Sequence, residues 1–355
     1  MAIEKLVPLR GRGAATNPAN RFERLRTVDP DDPELERVAP GTKLFRDSTR
    51  TIIATNDSPD VGFDASINPY RGCEHGCAYC YARPTHEYLG LSAGLDFETK
   101  IFVKEEAPEL LRAELASPRW TPKTLSLSGV TDCYQPVERK LRITRGCLEV
   151  LAEFRNPLGI VTKSDLVVRD VDVLAELARF EASAVCISVT TLDASLAGAL
   201  EPRAARPERR LAAIAELAEA GIPVGVLVAP IIPGLTDHEI PSILAAAGKA
   251  GARFAGYTIV RLPLAVAPIF QEWLEVHTPN RKEKVLNRLR SMRGGRLNDP
   301  NFNSRMHGAG AYAEEIRALF RMGKKRAGIA DESPKLSTEH FRRPPPNGQL
   351  ALFGD

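Results

Sequence analysis

The stretch NPYRGCEHGCAYCY, residues 68–81, carries three cysteines within eight positions. They stand at Cys73, Cys77 and Cys80, a spacing of Cys-x3-Cys-x2-Cys. Three thiolates on one short loop can each bind one corner of a cubane iron-sulfur cluster, and the glycines of this loop let the backbone curl close to the inorganic sulfides. Because the loop holds no fourth cysteine, one iron stays open for a substrate or cofactor. The spacing therefore predicts an iron-sulfur cluster with one free coordination position.

A structural zinc site is the alternative interpretation of the same cysteines. It would need a fourth ligand, either His75 or the remote Cys133. Zinc sites usually combine two two-cysteine knuckles into a closed set of four ligands, a pattern that this loop does not follow. We expect His75 to be an exposed loop residue, and Cys147 and Cys186 to be core residues because they lie in helix and strand patterns.

The composition is typical of a soluble globular protein. The chain has 355 residues, of which 43% are apolar, enough for one large domain with appendages. Six cysteines, three of them clustered, do not resemble a secreted disulfide framework and favour metal chemistry in a reducing compartment. No stretch approaches the roughly 20 apolar residues of a membrane span, and the N-terminus lacks a signal-length apolar run. We therefore expect a cytoplasmic protein without a membrane partner.

Short β-branched runs alternate with helical patterns through the middle of the chain. The predicted strands cover residues 65–68, 124–128, 158–162, 184–190, 223–230 and 254–261. The predicted helices cover residues 107–115, 143–154, 170–179, 207–220 and 240–250. Strands joined by helical crossovers are parallel, and their nearly all-apolar composition indicates that both faces are buried. This pattern predicts an α/β fold, a partial (β/α)6 TIM-like barrel with its active site at the carboxyl ends of the strands.

Four regions follow from these patterns. We expect an irregular N-terminal arm over residues 1–48, the core part-barrel over 49–265, a basic helical C-terminal cap over 266–326, and a flexible tail with a terminal apolar peptide over 327–355. The helices of the cap are predicted at residues 268–292 and 312–323.

The cap concentrates the positive charge of the chain. Residues 281–326 hold 13 Lys and Arg against 4 Asp and Glu, a local charge of +9 in a chain whose net charge is only +3. Such a concentration favours a polyanionic partner such as nucleic acid, and a solvated helical face is the alternative.

The cysteine motif, with Tyr79 as the aromatic residue before the third cysteine, resembles that of the radical S-adenosylmethionine (SAM) superfamily. Residues 68–81, 128–132 and 201–210 are similar, more narrowly, to the spore photoproduct lyase-like branch and its uncharacterised bacterial relatives. The resemblance covers residues 60–265 approximately. It implies a [4Fe-4S] cluster whose open iron chelates the methionine moiety of SAM, which one electron then cleaves to methionine and a 5'-deoxyadenosyl radical. A reductant such as flavodoxin or ferredoxin would supply that electron.

SAM presents an ammonium, a carboxylate, a ribose diol and an adenine, so its site needs acceptors, a cation, hydroxyl groups and an apolar slot. The resemblance suggests Thr131 and Asp132 for the ammonium, and Lys163 has the charge that suits the carboxylate. Ordinary polar residues at strand ends are the alternative for every candidate. The full set of expected cofactor contacts is Tyr79, Tyr81, Thr131, Asp132, Thr162, Lys163, Ser164, Ser188 and Thr190.

Two further candidates lie near the predicted mouth. Photoproduct lyases use a nearby thiol to return a hydrogen atom to the product radical, and the resemblance makes Cys133 the candidate for this catalytic role; a structural thiol is the alternative. The stretch Glu201-Pro202-Arg203 could form an ion pair, either on the substrate side or within the fold.

Three functions remain open on the sequence. The leading hypothesis is a radical SAM enzyme that acts on a nucleic-acid base or lesion. The second keeps the radical chemistry with a small molecule or a protein as substrate. The third is a non-catalytic, metal-stabilised module that binds DNA or the sliding clamp.

The hypothesis of clamp binding depends on the C-terminal residues Gln349, Leu350, Leu352 and Phe353. An apolar pentapeptide at the end of a polar tail is typical of a docking peptide, and these residues resemble the peptide by which bacterial repair and replication proteins bind the sliding clamp. The alternative is that the segment folds back onto its own core.

A peptide of residues 340–355 is expected to bind purified sliding clamp, because the clamp would bury its apolar side chains. The same peptide with Leu352→Ala and Phe353→Ala should not bind. Fluorescence anisotropy of labelled peptides measures both, and equal binding by the two would contradict a docking role.

Overall fold

The six predicted strands lie side by side in one sheet of the computed structural model, which describes residues 9–22 and 41–345. The strands are β1 (Lys43–Arg46), β2 (Ile53–Thr55), β3 (Ala65–Ile67), β4 (Tyr70–Arg71), β5 (Lys100–Val103), β6 (Leu125–Leu127), β7 (Leu158–Thr162), β8 (Ser183–Ser188), β9 (Val224–Ile231) and β10 (Phe254–Ile259). The main sheet has the order β10-β9-β8-β7-β6-β3-β2. Its strands are parallel except β2, which pairs antiparallel with β3. The predicted α/β part-barrel is thus confirmed, and the sheet stays open between β10 and β2.

Some helices pack on the main sheet, and others pack mainly on neighbouring helices. The helices are α1 (Leu95–Thr99), α2 (Ala107–Ala116), α3 (Glu138–Leu141), α4 (Ile143–Phe154), α5 (Val171–Ala178), α6 (Ala194–Leu200), α7 (Pro207–Glu219), α8 (Ile240–Lys249), α9 (Val266–His277), α10 (Pro279–Ser291) and α11 (Ala311–Arg326). Residues 268–292, predicted as one helical region, form two helices that meet at Thr278. The break follows from Pro279, which has no backbone N–H and disfavours helical geometry at the residue before it.

The core lies between the sheet and its helices. Strand residues such as Ile160, Val185 and Val226 are fully buried, as parallel sheets covered by helices require. Leu148, Leu174 and other residues on the inner faces of the helices pack against them. The carboxyl ends of the strands therefore form one edge on which loops can converge.

A second, three-stranded sheet lies next to the first and was not predicted. Its order is β1-β5-β4, with β1 parallel and β4 antiparallel to β5. Residues 43–46, expected within an irregular arm, are strand β1. Strand β4 ends two residues before Cys73, so this sheet fixes the start of the cysteine loop.

Residues 327–345, the first part of the predicted flexible tail, run along the core. Ala330 forms a β-bridge with Phe254, and the Phe341 ring lies 6.2 Å from the Phe154 ring, centroid to centroid. The Arg342 N–H donates to the Phe154 carbonyl at 2.9 Å. The clamp-like peptide, residues 349–353, lies outside the described residues.

Side chains connect the two edges of the open sheet. Asp60, in the loop between β2 and β3, accepts hydrogen bonds from the Asn303 N–H and from Arg305. Arg305 also donates to Ser58 Oγ at 2.6 Å. The loop that carries Asn303 and Arg305 runs beside edge strand β10, where the Met306 carbonyl accepts from the Ile259 N–H at 2.8 Å. We call the contacts among Ser58, Asp60, Asn303 and Arg305 the edge bridge.

No helix within residues 9–22 and 41–345 is long and apolar enough to cross a membrane.

Gly225→Ala is expected to destabilise the fold by about 1–3 kcal/mol, because a Cβ there would lie 2.4 Å from the Phe254 ring that packs across β9. Gly159→Ala, in β7, is the matched control, since a Cβ at this position meets no atom within 4 Å. Chemical denaturation measures both. Equal effects of the two substitutions would contradict close packing of Phe254 over Gly225.

Candidate active site at the mouth of the part-barrel

The cysteine loop follows the carboxyl end of β3, as predicted. Cys73 and Cys77 are buried and Cys80 is half-buried. Gly72 has a φ of +81°, and a Cβ at this position would lie 2.9 Å from the Phe97 carbonyl oxygen, so the turn that leads into Cys73 requires glycine. The Cys73 N–H donates to that carbonyl at 3.0 Å.

The three thiols lie close enough to influence one another. Burial raises the pKa of Cys73, and the nearby Asp132, Cys77 and Cys80 raise it further. Burial also raises the pKa of Cys80, although the positive charge of Arg83 opposes the shift. A bound iron deprotonates a coordinating thiol outright, so three free cysteines on one loop offer the thiolate ligands that an iron-sulfur cluster needs.

The two residues that could complete a zinc site are both buried. His75 is only 2% exposed, and its Nδ1 lies 3.4 Å from Asp132 Oδ2. The expectation that His75 is an exposed loop residue is therefore wrong, because the carboxylate draws its ring inward. Cys133 is fully buried, and the Ser128 hydroxyl accepts its backbone N–H at 2.8 Å.

A buried ion pair braces the middle of the loop. Arg83 has no solvent exposure and donates to the Cys77 carbonyl through Nε at 3.0 Å and Nη2 at 2.8 Å. Nη1 donates to the carbonyls of Ala93 at 3.2 Å and Gly94 at 3.0 Å, and Nη2 forms an ion pair with Glu98, which is also fully buried. The Glu98 carboxylate accepts the backbone N–H groups of Gly13 at 3.1 Å and Ala14 at 2.9 Å. The pair thus joins the N-terminal arm to the cysteine loop.

The arm lies directly on this loop. A Cβ on Gly13 would lie 1.7 Å from the Gly76 carbonyl oxygen, so no side chain fits between the two segments. Arg21 anchors the far end of the described arm through an ion pair with Glu87 at 2.7 Å. We did not predict a role for the arm at the site.

A second buried network holds Tyr79. Glu201, which is fully buried, accepts hydrogen bonds from the Tyr79 hydroxyl, from Thr190 Oγ1 at 2.6 Å and from Arg210. Burial raises the pKa of Glu201, and the charge of Arg210 opposes this. Arg210 also donates to the Ser188 carbonyl at 3.0 Å. The ion pair of Glu201 is therefore made with Arg210, within the fold.

Arg203, the other end of the candidate stretch, pairs with Glu74 at 3.0 Å. Glu74 lies in the cysteine loop, so this pair also fastens the loop to the polypeptide that follows α6.

Asp132 organises the loops after β6 and β7. It accepts hydrogen bonds from Thr162 Oγ1 at 2.7 Å, the Lys163 N–H at 2.8 Å and the Tyr134 N–H at 2.9 Å. Burial alone would raise the pKa of Asp132, but His75 and the hydrogen bonds from Lys163 and Thr162 lower it to about 2. The carboxylate is therefore ionised at neutral pH.

Other predicted contacts also hydrogen-bond within the protein. Thr131 Oγ1 donates to the Tyr70 carbonyl at 2.8 Å. Ser164 Oγ accepts the Leu166 N–H at 3.2 Å and starts a short 3-10 helix. The thiol of Cys133 is enclosed in the main core and has no exposed surface. Its role as a hydrogen-atom donor stays a prediction.

Lys163 and Tyr81 differ from these residues. Lys163 Nζ lies 5.8 Å from the centroid of the Tyr79 ring, and its positive charge opposes the burial-raised pKa of both Cys77 and Cys80. Its ammonium has no hydrogen-bond acceptor within residues 9–22 and 41–345. Tyr81 is 49% exposed, its hydroxyl donates to the Gly129 carbonyl at 3.0 Å, and the Arg261 guanidinium carbon lies 5.9 Å from its ring centroid.

A family model described as the radical SAM superfamily matches residues 67–247, the span from the end of β3 to α8. The chain belongs to the radical SAM superfamily. Its cysteine motif and its open part-barrel are now accounted for by one family, and the predicted membership is confirmed.

Relatives and solved structures agree with this assignment. An uncharacterised protein of Mycobacterium tuberculosis is 39% identical over 211 residues, which cover 57% of this chain and 62% of that protein. An uncharacterised protein of Methanocaldococcus jannaschii is 30% identical over 222 residues, 62% of this chain and 79% of the relative. The match thus spans less than two thirds of the length of the mycobacterial relative.

A solved structure of spore photoproduct lyase, complexed with dinucleoside spore photoproduct, has a TM-score of 0.56 with this chain. It covers 83% of this chain and 86% of the lyase chain at 16% sequence identity. A second structure of that lyase, a mutant with bound AdoMet, gives a TM-score of 0.52 at 17% identity. At this identity the likeness establishes a shared fold.

The sequence missed the residues that brace the radical SAM loop. Arg83, Glu98 and Gly13 belong to no motif, and Gly13 is 85 residues from Glu98, so only their convergence in the fold reveals them. Arg210 could have been predicted, because it is the last residue of the stretch 201–210 that resembles the family. The individual roles of the predicted SAM contacts remain predictions.

Arg83→Met is expected to destabilise the protein by about 3–5 kcal/mol, because it leaves Glu98 buried without its partner. It should also lower the iron bound per chain after reconstitution, since the Cys77 carbonyl loses its donors. Arg112→Met, which breaks the exposed pair with Glu153, is the matched control and should change stability by less than about 1 kcal/mol. Thermal denaturation and iron analysis measure both, and equal iron retention by the two variants would argue against a bracing role.

Proposed function

We propose that the protein is a radical SAM enzyme whose [4Fe-4S] cluster is held by Cys73, Cys77 and Cys80. When bound, the cluster supplies one electron to SAM, which gives methionine and a 5'-deoxyadenosyl radical. The observation that carries this proposal is the presence of three free cysteines on one braced loop, at the carboxyl ends of the strands of a radical SAM domain. A reductant such as flavodoxin or ferredoxin would deliver the electron in the cytoplasm.

The residues around the loop have distinct tasks in this proposal. Lys163 would bind the SAM carboxylate, because its ammonium lies near the cysteines and has no acceptor of its own within residues 9–22 and 41–345. Asp132 would attract the SAM ammonium by its charge while it holds the Lys163 loop through the backbone. Tyr79, fixed by Glu201, would form a wall of the site and exclude water.

We propose a nucleic-acid base or lesion as the substrate. Arg281, Lys284 and Arg288 are spaced by three and four residues on α10 and therefore share one face of this helix. They line a cleft of about 400 Å³ together with Gly234, which follows β9 at the carboxyl end of the sheet. The cleft also holds Glu315 and Asp237, and Asp237 pairs with Arg288 at 3.1 Å, so Arg281 and Lys284 are the cations that could bind a phosphate backbone.

The wild-type enzyme, reconstituted anaerobically with iron and sulfide, reduced and supplied with SAM, is expected to form 5'-deoxyadenosine, while Cys77→Ala forms none. Cys186→Ala, in strand β8, is the matched control and should keep the activity because it lies outside the loop. Chromatography of the products measures all three. Product from Cys77→Ala at the wild-type rate would contradict the proposal, as would no product from a wild type with intact cluster, bound SAM and damaged DNA present.

A further inference from the structure

Arg261 follows β10 at the mouth and has few partners for a half-buried guanidinium. A guanidinium has five N–H donors, and buried donors in proteins are nearly always satisfied. Its Nη1 donates a hydrogen bond to the Met306 sulfur at 3.7 Å, and sulfur is a weak acceptor. Its Nε is buried without a partner, and no carboxylate within residues 9–22 and 41–345 forms an ion pair with it. Nη2 has no hydrogen-bond partner in the described part of the chain and is not buried, so its donors are available to a ligand.

Two further arginines lie near Arg261, together with the Asp60 carboxylate. Arg293 is buried beside it and donates to the Val260 carbonyl. Arg305 lies on the other side and is engaged with Asp60 in the edge bridge. Burial lowers the pKa of Arg261 and the charge of Arg305 lowers it further, while the nearby Asp60 carboxylate opposes both. Because Asp60 already pairs with Arg305, a bound anion would reduce the repulsion that remains among the three guanidinium groups.

Two exposed aromatic rings flank these cations. Tyr81 is 49% exposed and Phe302 is 50% exposed. The guanidinium carbon of Arg261 lies 5.9 Å from the Tyr81 ring centroid, and that of Arg305 lies 4.4 Å from the Phe302 ring centroid. Exposed rings alternating with cations are the surface on which proteins bind single-stranded nucleic acids, because bases stack on the rings and phosphates bind the cations.

We propose that Arg261, Tyr81 and Phe302 form a binding site for a single nucleic-acid strand at the opening between the two edges of the sheet. Arg261 binds a backbone phosphate, and the Tyr81 and Phe302 rings stack neighbouring bases. Tyr81 directly follows Cys80, so a base stacked on it lies beside the cysteine loop. A single strand is specified because the base faces of a duplex are already stacked. This inference rests on the nucleic-acid substrate of the proposed function.

The test measures the binding of a fluorescein-labelled single-stranded DNA of about 12 nucleotides to the full reconstituted chain by anisotropy, over a range of salt concentrations. Arg261→Gln is expected to weaken binding at least tenfold and to reduce the slope of log K against log salt by about 0.7, the loss of one phosphate contact. Arg321→Gln removes the same charge from an exposed position on α11 and should change affinity less than twofold. Iron content and thermal stability establish that both variants are folded.

Phe302→Ala removes one stacking ring and should leave the stability of the fold nearly unchanged, because the ring is exposed. It should weaken binding about tenfold with an unchanged salt slope. Phe45→Ala, an exposed ring on the second sheet, is its control and should bind like wild type. The proposal is overturned if Arg261→Gln binds like Arg321→Gln, or if duplex DNA of the same sequence binds as tightly as the single strand.

Binding is measured without SAM cleavage, so this inference and the proposed function can fail separately. Formation of 5'-deoxyadenosine without Arg261-dependent DNA binding would remove the strand site and leave the radical chemistry. Arg261-dependent binding without 5'-deoxyadenosine would leave the strand site and remove the proposed catalysis.

Discussion

The cysteine loop depends on the buried ion pair between Arg83 and Glu98. An irregular loop has no ladder of backbone hydrogen bonds, so its buried carbonyls need donors from elsewhere. Arg83 supplies two to Cys77. Burying its charge is costly unless a counter-ion and further hydrogen bonds compensate it, and Glu98 does this while it binds the arm. One interaction thus connects the cysteine loop and α1 with an arm that is 85 residues away in the sequence.

The polar groups of the mouth divide into two sets. Asp132, Thr131, Thr162 and Thr190 have their hydrogen bonds inside the protein and hold one strand-end loop against the next. Cations in the second set, above all Lys163 and Arg261, keep donors available. A site built in this way has rigid walls, because its hydroxyl and carboxylate groups position one another, and its free charge suits anionic groups such as the SAM carboxylate and phosphates.

The periodicity of the sequence was enough to predict the part-barrel. The predicted bounds of α4 and β7 match the structure. In both segments the spacing of the apolar residues fits one type of secondary structure and no other. The second sheet was missed because β4 has two residues and β1 is exposed along its length, so neither shows a pattern of burial. The site was predictable as a motif, Cys-x3-Cys-x2-Cys, and as a set of strand ends. The partners of each side chain were not, because convergence of residues such as Gly13 and Glu98 is a property of the folded chain alone.

The edge bridge joins two loops whose lengths can change without altering the sheet. The opening of the part-barrel is bounded by two loops, one before β3 and one beside β10, which touch through Asp60 and Arg305. Neither loop contributes a strand to the sheet, and neither contains one of the three cysteines. The size of the entrance can therefore vary by insertion or deletion in these loops while the catalytic framework stays constant, which separates the choice of substrate from the chemistry in the course of evolution.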